Sequence, residues 1–234
     1  MALAWAGACY AGHPLVTEDA GVIAEGQCEL ELVPSRLSLA DAAPARSIEH
    51  GLSLQVGCAV GETAQLALRA GRVHGPDAHL HSVELNGKWR LASWGEAERP
   101  AQFTLAWGLT GERATSGGAW RHTGDALNAV LSQPLQGVLG SFTLHANLGH
   151  AHEAVGRRRT TTVALALEHE GLGPDQRLQP MAEIFLDDRD HNAYLNAGLR
   201  YAVVPERCYV AASWGGQLSG PRGRLATVGL KWVF

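Results

Sequence analysis

The sequence lacks long hydrophobic runs, blocks of like charge and any cysteine spacing typical of a metal site. Its apolar stretches are interrupted by Arg, Glu, Gln or Gly every few positions, whereas a membrane-spanning helix needs about 18 consecutive apolar residues. A helical membrane protein is therefore excluded. The 234 residues include 19 Lys and Arg against 23 Asp and Glu, with a net charge of −4. Because nucleic-acid binding relies on a basic cluster, no nucleic-acid partner is expected.

Cysteines are few and widely spaced. The chain has four, Cys9, Cys28, Cys58 and Cys208, and no Cys-x-x-Cys pair. Cys9 falls within the leader predicted below, so a mature chain would keep three, and an odd number argues against a disulfide-based scaffold. The sequence therefore predicts free, buried thiols, no structural metal site and no cofactor.

The first eleven residues predict a signal peptide. Residues 1–11 are apolar and end in small residues, with Ala11 a candidate for the last residue before cleavage. The positive charge that usually opens a signal peptide is missing, so its true start stays open, as does the alternative of an ordinary apolar N-terminal segment. Together with the strand pattern that follows, this segment favours export.

The most informative signal is strict alternation of apolar and polar residues along nearly the whole chain. A period of two identifies strands whose two faces meet different environments. Over residues 82–91 the apolar phase includes Leu85 and Trp89, while the other phase carries Glu84 and Lys88. The last strand places five apolar residues on one face, namely Ala226, Val228, Leu230, Trp232 and Phe234.

About twelve such segments follow one another from Gln27 onward, separated by turn signals such as Gln133 to Gly137. An even number of strands with an aromatic-rich apolar face and a polar opposite face is typical of a transmembrane β-barrel. Closure is required in lipid, because an open edge would leave backbone N–H and C=O groups without partners. The sequence thus predicts an all-β fold, a closed antiparallel barrel of about 12 strands over residues 26–234, in the bacterial outer membrane.

A soluble lipocalin-like barrel or sandwich, with the apolar face inside, is the alternative. Two features favour the membrane barrel: the apolar faces carry almost no charge, and the chain ends on Phe234 with Trp232 two residues earlier. This ending resembles the C-terminal strand signal of outer-membrane proteins, which implies the barrel-assembly machinery as a partner besides outer-membrane lipid. The residues expected to face lipid include Leu85, Trp89, Leu105, Trp107, Leu144, Leu165, Leu230 and Trp232.

The polar phase then faces the lumen. Mixed charges there provide a transverse field and hydrogen-bond partners for a small polar or zwitterionic solute. A barrel of about 12 strands is narrow, so the same charges can instead pair and fill it, and the sequence leaves a narrow channel and a plugged structural barrel both open. The candidate lumen-lining residues are Glu29, Glu31, Gln55, Arg69, Glu84, Lys88, Arg90, His145, Asn147, Glu168, Glu183, Asn196, Arg200 and Lys231.

Residues 12–25 are too short and too polar to form a domain. We expect them on the periplasmic side, as a plug or lid at the mouth of the barrel. Pro14 prevents regular strand pairing there, and Glu18 and Asp19 are expected to meet a lumen cation such as Lys231. The alternative is a frayed terminus.

Antiparallel pairing of the first two strands is expected to bring Cys28 and Cys58 together near the periplasmic rim. Opposed residues hold their Cβ atoms about 4.5 to 5.5 Å apart, wider than the roughly 3.5 to 4.5 Å found in a disulfide. A bond formed in an oxidising periplasm would therefore be strained, and the sequence predicts neighbouring free thiols.

A motif after the leader resembles a known family. Residues 12–21, GHPLVTEDAG, and 26–32, GQCELEL, resemble the opening of the MetA-pathway of phenol degradation family of outer-membrane transporters. The resemblance continues weakly through LNGKWR at 85–90 and GLKWVF at 229–234. It implies an outer-membrane barrel that passes small, often aromatic, compounds, and it supplies no catalytic residues and no agreed substrate. Glu18 stands where such proteins often have Asp, and the short loops imply a narrow barrel.

The sequence predicts no enzyme and no catalytic residue. A minor alternative, an outer-membrane lipid hydrolase, would need a Ser and a His on the lipid-facing side of a strand, but adjacent His81 and Ser82 point to opposite faces. Histidines in or beside the predicted outer loops are weak metal candidates, because flexible loops with few fixed carboxylates hold metal poorly. They are His74, His79, His81, His150 and His152.

Overall fold

The computed structural model describes residues 15–39, 47–75, 79–137, 140–188, 193–219 and 223–234. The predicted signal peptide, His13 and Pro14 lie outside these ranges. None of the described residues forms a helix that could cross a bilayer. The strands are β1 (Cys28–Leu39), β2 (Ser47–Val60), β3 (Ala64–His74), β4 (His79–Gly95), β5 (Pro100–Ala114), β6 (Arg121–Gly137), β7 (Gly140–Glu153), β8 (Arg158–His169), β9 (Leu178–Asp187), β10 (Ala193–Val204), β11 (Cys208–Gln217) and β12 (Arg224–Val233).

Each strand pairs antiparallel with its neighbours in the chain, and β1 pairs with β12 to close the ring. At the seam, the N–H of Cys28 donates to the carbonyl of Phe234 at 2.8 Å, and the N–H of Phe234 donates back at 2.9 Å. Closure pairs both edges of the sheet, which removes the unsatisfied backbone groups that lipid does not tolerate. The predicted fold class, a closed antiparallel barrel of 12 strands, is confirmed.

The apolar phase covers the outside of the barrel. Leu85 is 44% exposed, Trp89 57% and Trp232 52%, and the other residues expected to face lipid share this outer face. Leu105, Trp107 and Leu144 are half-buried there by their neighbours. Trp232 lies near the end of β12, and Phe234 directly follows this strand, beside the first residue of β1. The two rings form part of the aromatic girdle expected at a membrane interface.

Replacing Leu105 by Arg is expected to destabilise the barrel by about 2 to 4 kcal/mol, because the side chain points into the apolar belt and lipid does not solvate a guanidinium. Leu105 lies between Trp89 and Ala129 on the adjoining strands. Urea unfolding in lipid vesicles measures the loss, with Leu105→Ile as the matched apolar variant. Equal free energies of unfolding for wild type and Leu105→Arg would contradict a lipid-facing position.

The turn predicted at Gln133 to Gly137 is wrong, because β6 continues through these residues. Pro134 lies opposite Thr143, and Gly137 lies opposite Gly140. A proline lacks only its N–H, so it is tolerated near the end of a strand where few ladder bonds remain. The pairing of β6 with β7 therefore reaches almost to the tip of the hairpin.

The expectation of free thiols at Cys28 and Cys58 is also wrong: the two form a disulfide with a Cα–Cα distance of 4.0 Å, whereas Cys208 is free and buried. Cys28 directs its backbone hydrogen bonds to Phe234 on the other side. Towards β2 it therefore forms a non-hydrogen-bonded pair, in which opposed residues approach more closely than in a hydrogen-bonded pair. The predicted pairing of the two cysteines is correct, but the spacing that argued against a bond is that of a hydrogen-bonded pair, in which opposed residues lie further apart.

Candidate functional site: the barrel lumen

The fourteen predicted lumen residues all lie on the inward-facing phase of their strands. Most of them are buried. The side chains of Glu29, Glu31 and Glu183 are 5% exposed or less. Arg90 differs, because its guanidinium donates to the carbonyl of Glu62 at 2.7 Å and so stays at the periplasmic turn. A part for these residues in transport remains a prediction.

Ion pairs neutralise much of the lumen charge. Lys231 Nζ lies 2.6 Å from Glu29 Oε2 and 3.4 Å from Glu31 Oε1. Two strands further along the ring, Arg200 Nη1 on β10 lies 2.7 Å from Glu168 Oε1 on β8. Nearer the extracellular end, Arg69 bonds Glu84 at 3.1 Å. Charges of both signs therefore line the lumen in fixed pairs, as buried charges require.

The chain before β1 lies inside the barrel. We call residues 15–23 the inner segment. Leu15 packs against Ala166 and Met181. The Glu183 carboxylate then accepts hydrogen bonds from the N–H groups of Val16 and Thr17 at 2.7 to 2.9 Å and from the Thr17 hydroxyl at 2.6 Å. Asn196 Nδ2 donates to the same carboxylate at 2.8 Å. Since Glu183 is 2% exposed, these charge-assisted bonds are shielded from water and strong.

Further along, lumen side chains pair with the backbone of the inner segment. Asn147 accepts from the N–H of Glu18 at 2.7 Å and donates to its carbonyl at 2.8 Å. Ser132 Oγ accepts from the N–H of Ala20, whose carbonyl accepts from Thr104 Oγ1 at 2.6 Å. The segment is thus held as a strand would be, except that side chains of the wall replace a neighbouring backbone.

Lys88 is the cation that meets the acidic pair of the inner segment. Its Nζ lies 2.6 Å from Glu18 Oε1 and 3.5 Å from Asp19 Oδ1, and it also donates to the carbonyls of Asp19 and Gly21. Lys231, which the sequence suggested for this role, bonds Glu29 and Glu31 instead. A lysine on β4 therefore joins the acidic part of the inner segment to the wall.

Burial raises the pKa of Glu18 above its ordinary value, and attraction from Lys88 offsets this only in part. For Asp19, burial acts in the same direction, but attraction from Lys88 and Lys231 outweighs it and holds the pKa well below its usual range. Asp19 therefore stays ionised at neutral pH and keeps its attraction to Lys88.

Cavities remain between the described residues of the lumen. One of about 310 Å³ lies on the periplasmic side, between Asp19, Lys88, Arg200 and Lys231. A second, of about 290 Å³, lies between the inner segment and the wall near Arg99 and His145. A third, of about 130 Å³, lies beside Gly51 and Gly71, where a Cβ would run into Ser35 and Ser82. The inner segment borders the first two cavities, since Asp19 and Gly21 line both of them.

Ser132, His145 and Glu168 form a row on the lumen wall. Ser132 Oγ lies 2.8 Å from His145 Nδ1, and His145 Nε2 lies 3.6 Å from Glu168 Oε2. Each end already has a structural partner: the serine oxygen accepts from the inner segment, and the carboxylate binds Arg200. The row therefore helps to bind the inner segment to the wall of the lumen.

Three lumen contacts were not predicted from the sequence, namely Gln65, Thr104 and Ser132. Gln65 accepts from the N–H of Ile23 at 2.8 Å, and the other two bind Ala20. All three lie on the inward-facing phase, like the predicted lumen residues of their own or adjoining strands. The alternation was therefore a sufficient signal to place them in the lumen. Because all three are neutral, they stand out less in the sequence than the charged residues of the same phase do.

The candidate metal ligands lie on strands and not in loops, and they face outward. His74 and His79 pack ring against ring at the β3–β4 end, with centroids 4.4 Å apart. His152 Nδ1 lies 3.2 Å from Asp125 Oδ1. Within the part of the chain that the structure describes, no three His, Cys, Asp or Glu side chains are placed to hold a metal ion.

No protein-family model matches the chain and no curated protein matches it by sequence, so the family resemblance stays a prediction. Solved structures do match. The COG4313 outer membrane channel from Pseudomonas putida F1 is 10% identical with a TM-score of 0.66, covering 92% of this chain and 98% of that one. The KdgM porin is 10% identical with a TM-score of 0.57, covering 87% and 99%, and NanC porin is 7% identical with a TM-score of 0.51, covering 87% and 98%. At these identities the likeness concerns the fold, which is that of bacterial outer-membrane barrels.

Proposed function

We propose that this protein is a narrow outer-membrane channel for small organic solutes, aromatic compounds included, closed in the present state by the inner segment. The observation that carries the proposal is the way the segment is held. Residues 15–23 touch the wall through hydrogen bonds, ion pairs and apolar contacts only, so release needs no covalent change and no unfolding of the barrel. The fold of the porins and channels it resembles supports the same assignment.

The size and lining of the lumen support a small solute. Cavities near 300 Å³ approach the lower limit of sites for small organic molecules. Charges of both signs in fixed pairs favour neutral, zwitterionic or weakly polar compounds over strongly charged ions. The preference for aromatic compounds rests on the family resemblance.

A plugged structural barrel is the second candidate. The ion pairs and the inner segment together fill much of the interior, as expected for a barrel of this size. The two candidates differ in one measurement: refolded protein in liposomes either admits neutral solutes of graded size faster than protein-free liposomes or does not. Selective flux supports a channel, whereas flux equal to that of protein-free liposomes supports the structural barrel.

Replacing Arg200 by Glu is expected to shift any ion preference of the channel towards cations. Arg200 lines the cavity of about 310 Å³, and the substitution replaces a positive charge of its wall with a negative one. Reversal potentials in planar bilayers measure the shift. Arg200→Gln serves as a milder variant if the reversal impairs folding.

Arg207→Glu is the matched control, since Arg207 is exposed in the periplasmic turn between β10 and β11. Arg90→Glu is expected to have a smaller effect than Arg200→Glu, because its guanidinium binds the Glu62 carbonyl. Identical reversal potentials in wild type, Arg200→Gln and Arg200→Glu would instead favour the plugged barrel.

A further inference from the structure

The outer surface carries a cationic patch where β1 to β5 reach their extracellular ends. Pairing sets its members side by side: Arg36 lies opposite His50, and His50 lies opposite His74. On the next strands His81 lies opposite both Arg72 and Arg113. Opposed residues share a face with Cβ atoms about 4.5 to 5.5 Å apart, so these side chains form one surface. The basic patch comprises Arg36, His50, Arg72, His74, His81 and Arg113.

The basic patch lies directly above the apolar belt. Two residues further into the membrane, on the same outward phase, stand Pro34, Leu52, Ala70 and Val83. All patch residues are exposed except His81, which is half-buried. The patch is therefore at the height where lipid headgroups meet the hydrocarbon layer, on the extracellular side.

Among the described residues, no outward-facing carboxylate lies beside the patch. At the extracellular ends of β1 to β5, the described outward-facing residues include no Asp or Glu, since Glu49, Glu84 and Glu112 take the inward phase. None of the three arginines forms an ion pair with a described residue. On the adjoining strands β6 and β7, by contrast, Asp125 lies 3.2 Å from His152 and 3.9 Å from His122. Over β1 to β5, the outward-facing positive charge has no outward-facing carboxylate beside it among the described residues.

The guanidinium of Arg113 is held in a fixed orientation by an aromatic ring. The Arg113 guanidinium lies 5.0 Å from the centroid of the Trp120 ring, an arrangement that orients the planar group while leaving its N–H donors available. Guanidinium groups bind phosphate through paired hydrogen bonds, and imidazole N–H groups add single ones.

We propose that the basic patch binds the phosphate groups of an anionic lipid of the outer leaflet, with the acyl chains of that lipid lying on the belt beneath. A lipid fits better than free phosphate because donors and apolar surface are continuous. Basic residues near a membrane surface each strengthen attraction to anionic lipid several-fold, so the patch fixes the depth of the barrel and recruits a lipid shell on one side. This role concerns the outside of the barrel and is independent of transport through the lumen.

Native mass spectrometry of the refolded full chain, titrated with diphosphoryl lipid A in detergent micelles, tests the proposal. Arg36→Gln with Arg72→Gln is expected to weaken binding about tenfold or more. The control, Arg177→Gln with Arg207→Gln, removes the same charge from periplasmic turns and is expected to bind like wild type. Heat-modifiable gel mobility verifies that every variant is folded.

Two further arms identify the ligand chemistry. Dephosphorylated lipid A is expected to bind at least fivefold more weakly than the diphosphoryl form, and millimolar inorganic phosphate is expected to compete poorly. Equal binding by the patch variant and the control would overturn the proposal, as would equal binding of both lipid forms. Full competition by inorganic phosphate would overturn the lipid assignment.

Discussion

Deleting residues 13–24 is expected to raise solute flux through the refolded barrel by about tenfold to a thousandfold. If the open state of a gated protein is populated at about 0.1 to 10%, removing the group that closes it makes that state dominant. The inner segment is suited to this role because it crosses from Glu183 on β9 to Gln65 on β3, so its removal joins the cavities on its two sides. Liposome swelling with neutral sugars and single-channel conductance both report the change.

The deletion leaves every strand intact, because β1 begins at Cys28 and keeps its disulfide to Cys58. Gel mobility and the urea midpoint show whether the shortened barrel is folded. Unchanged flux in a folded deletion variant would exclude gating and leave the structural barrel as the better interpretation.

Replacing Glu183 by Ala is the single substitution expected to open the channel most. It removes the acceptor of three hydrogen bond donors of Val16 and Thr17 and leaves them without a partner in a buried site. Each buried unsatisfied group costs about 1 to 3 kcal/mol. The state with the inner segment bound to the wall therefore loses most of its free-energy advantage over the state with the segment detached. The flux expected for a neutral solute approaches that of the deletion variant.

Glu84→Ala provides the matched control for Glu183→Ala. Glu84 is also a buried lumen carboxylate, but it bonds Arg69 and lies away from the inner segment. This variant is expected to alter ion preference without raising the flux of a neutral solute. Equal flux through both variants would show that loss of lumen charge, and not release of the segment, opens the pathway.

Alternation predicts the fold and both faces of the barrel because the side-chain direction of a strand repeats every two residues and is therefore a local property. The outward position of Trp89 and the inward position of Glu183 both follow from this rule. Closure follows from the same pattern once lipid is the solvent, since an open edge is excluded. These features need no knowledge of which strand lies beside which.

The seat of the inner segment could not be predicted in the same way. Glu18 and Asn147 are 129 residues apart, and Thr17 and Glu183 are 166 apart. Such contacts depend on the register and stagger of the whole ring, which alternation does not specify. The Cys28–Cys58 bond required still finer information, namely which opposed pairs lack backbone hydrogen bonds.

The attachment of the inner segment to the barrel has a kinetic consequence. Only residues 24–27 separate it from Cys28, and that residue is fixed by the disulfide and by two hydrogen bonds to Phe234. A short tether of this kind keeps a released segment at an effective concentration of about millimolar or higher. Recapture is then intramolecular and fast, so the open pathway is expected as brief bursts whose length is independent of protein concentration.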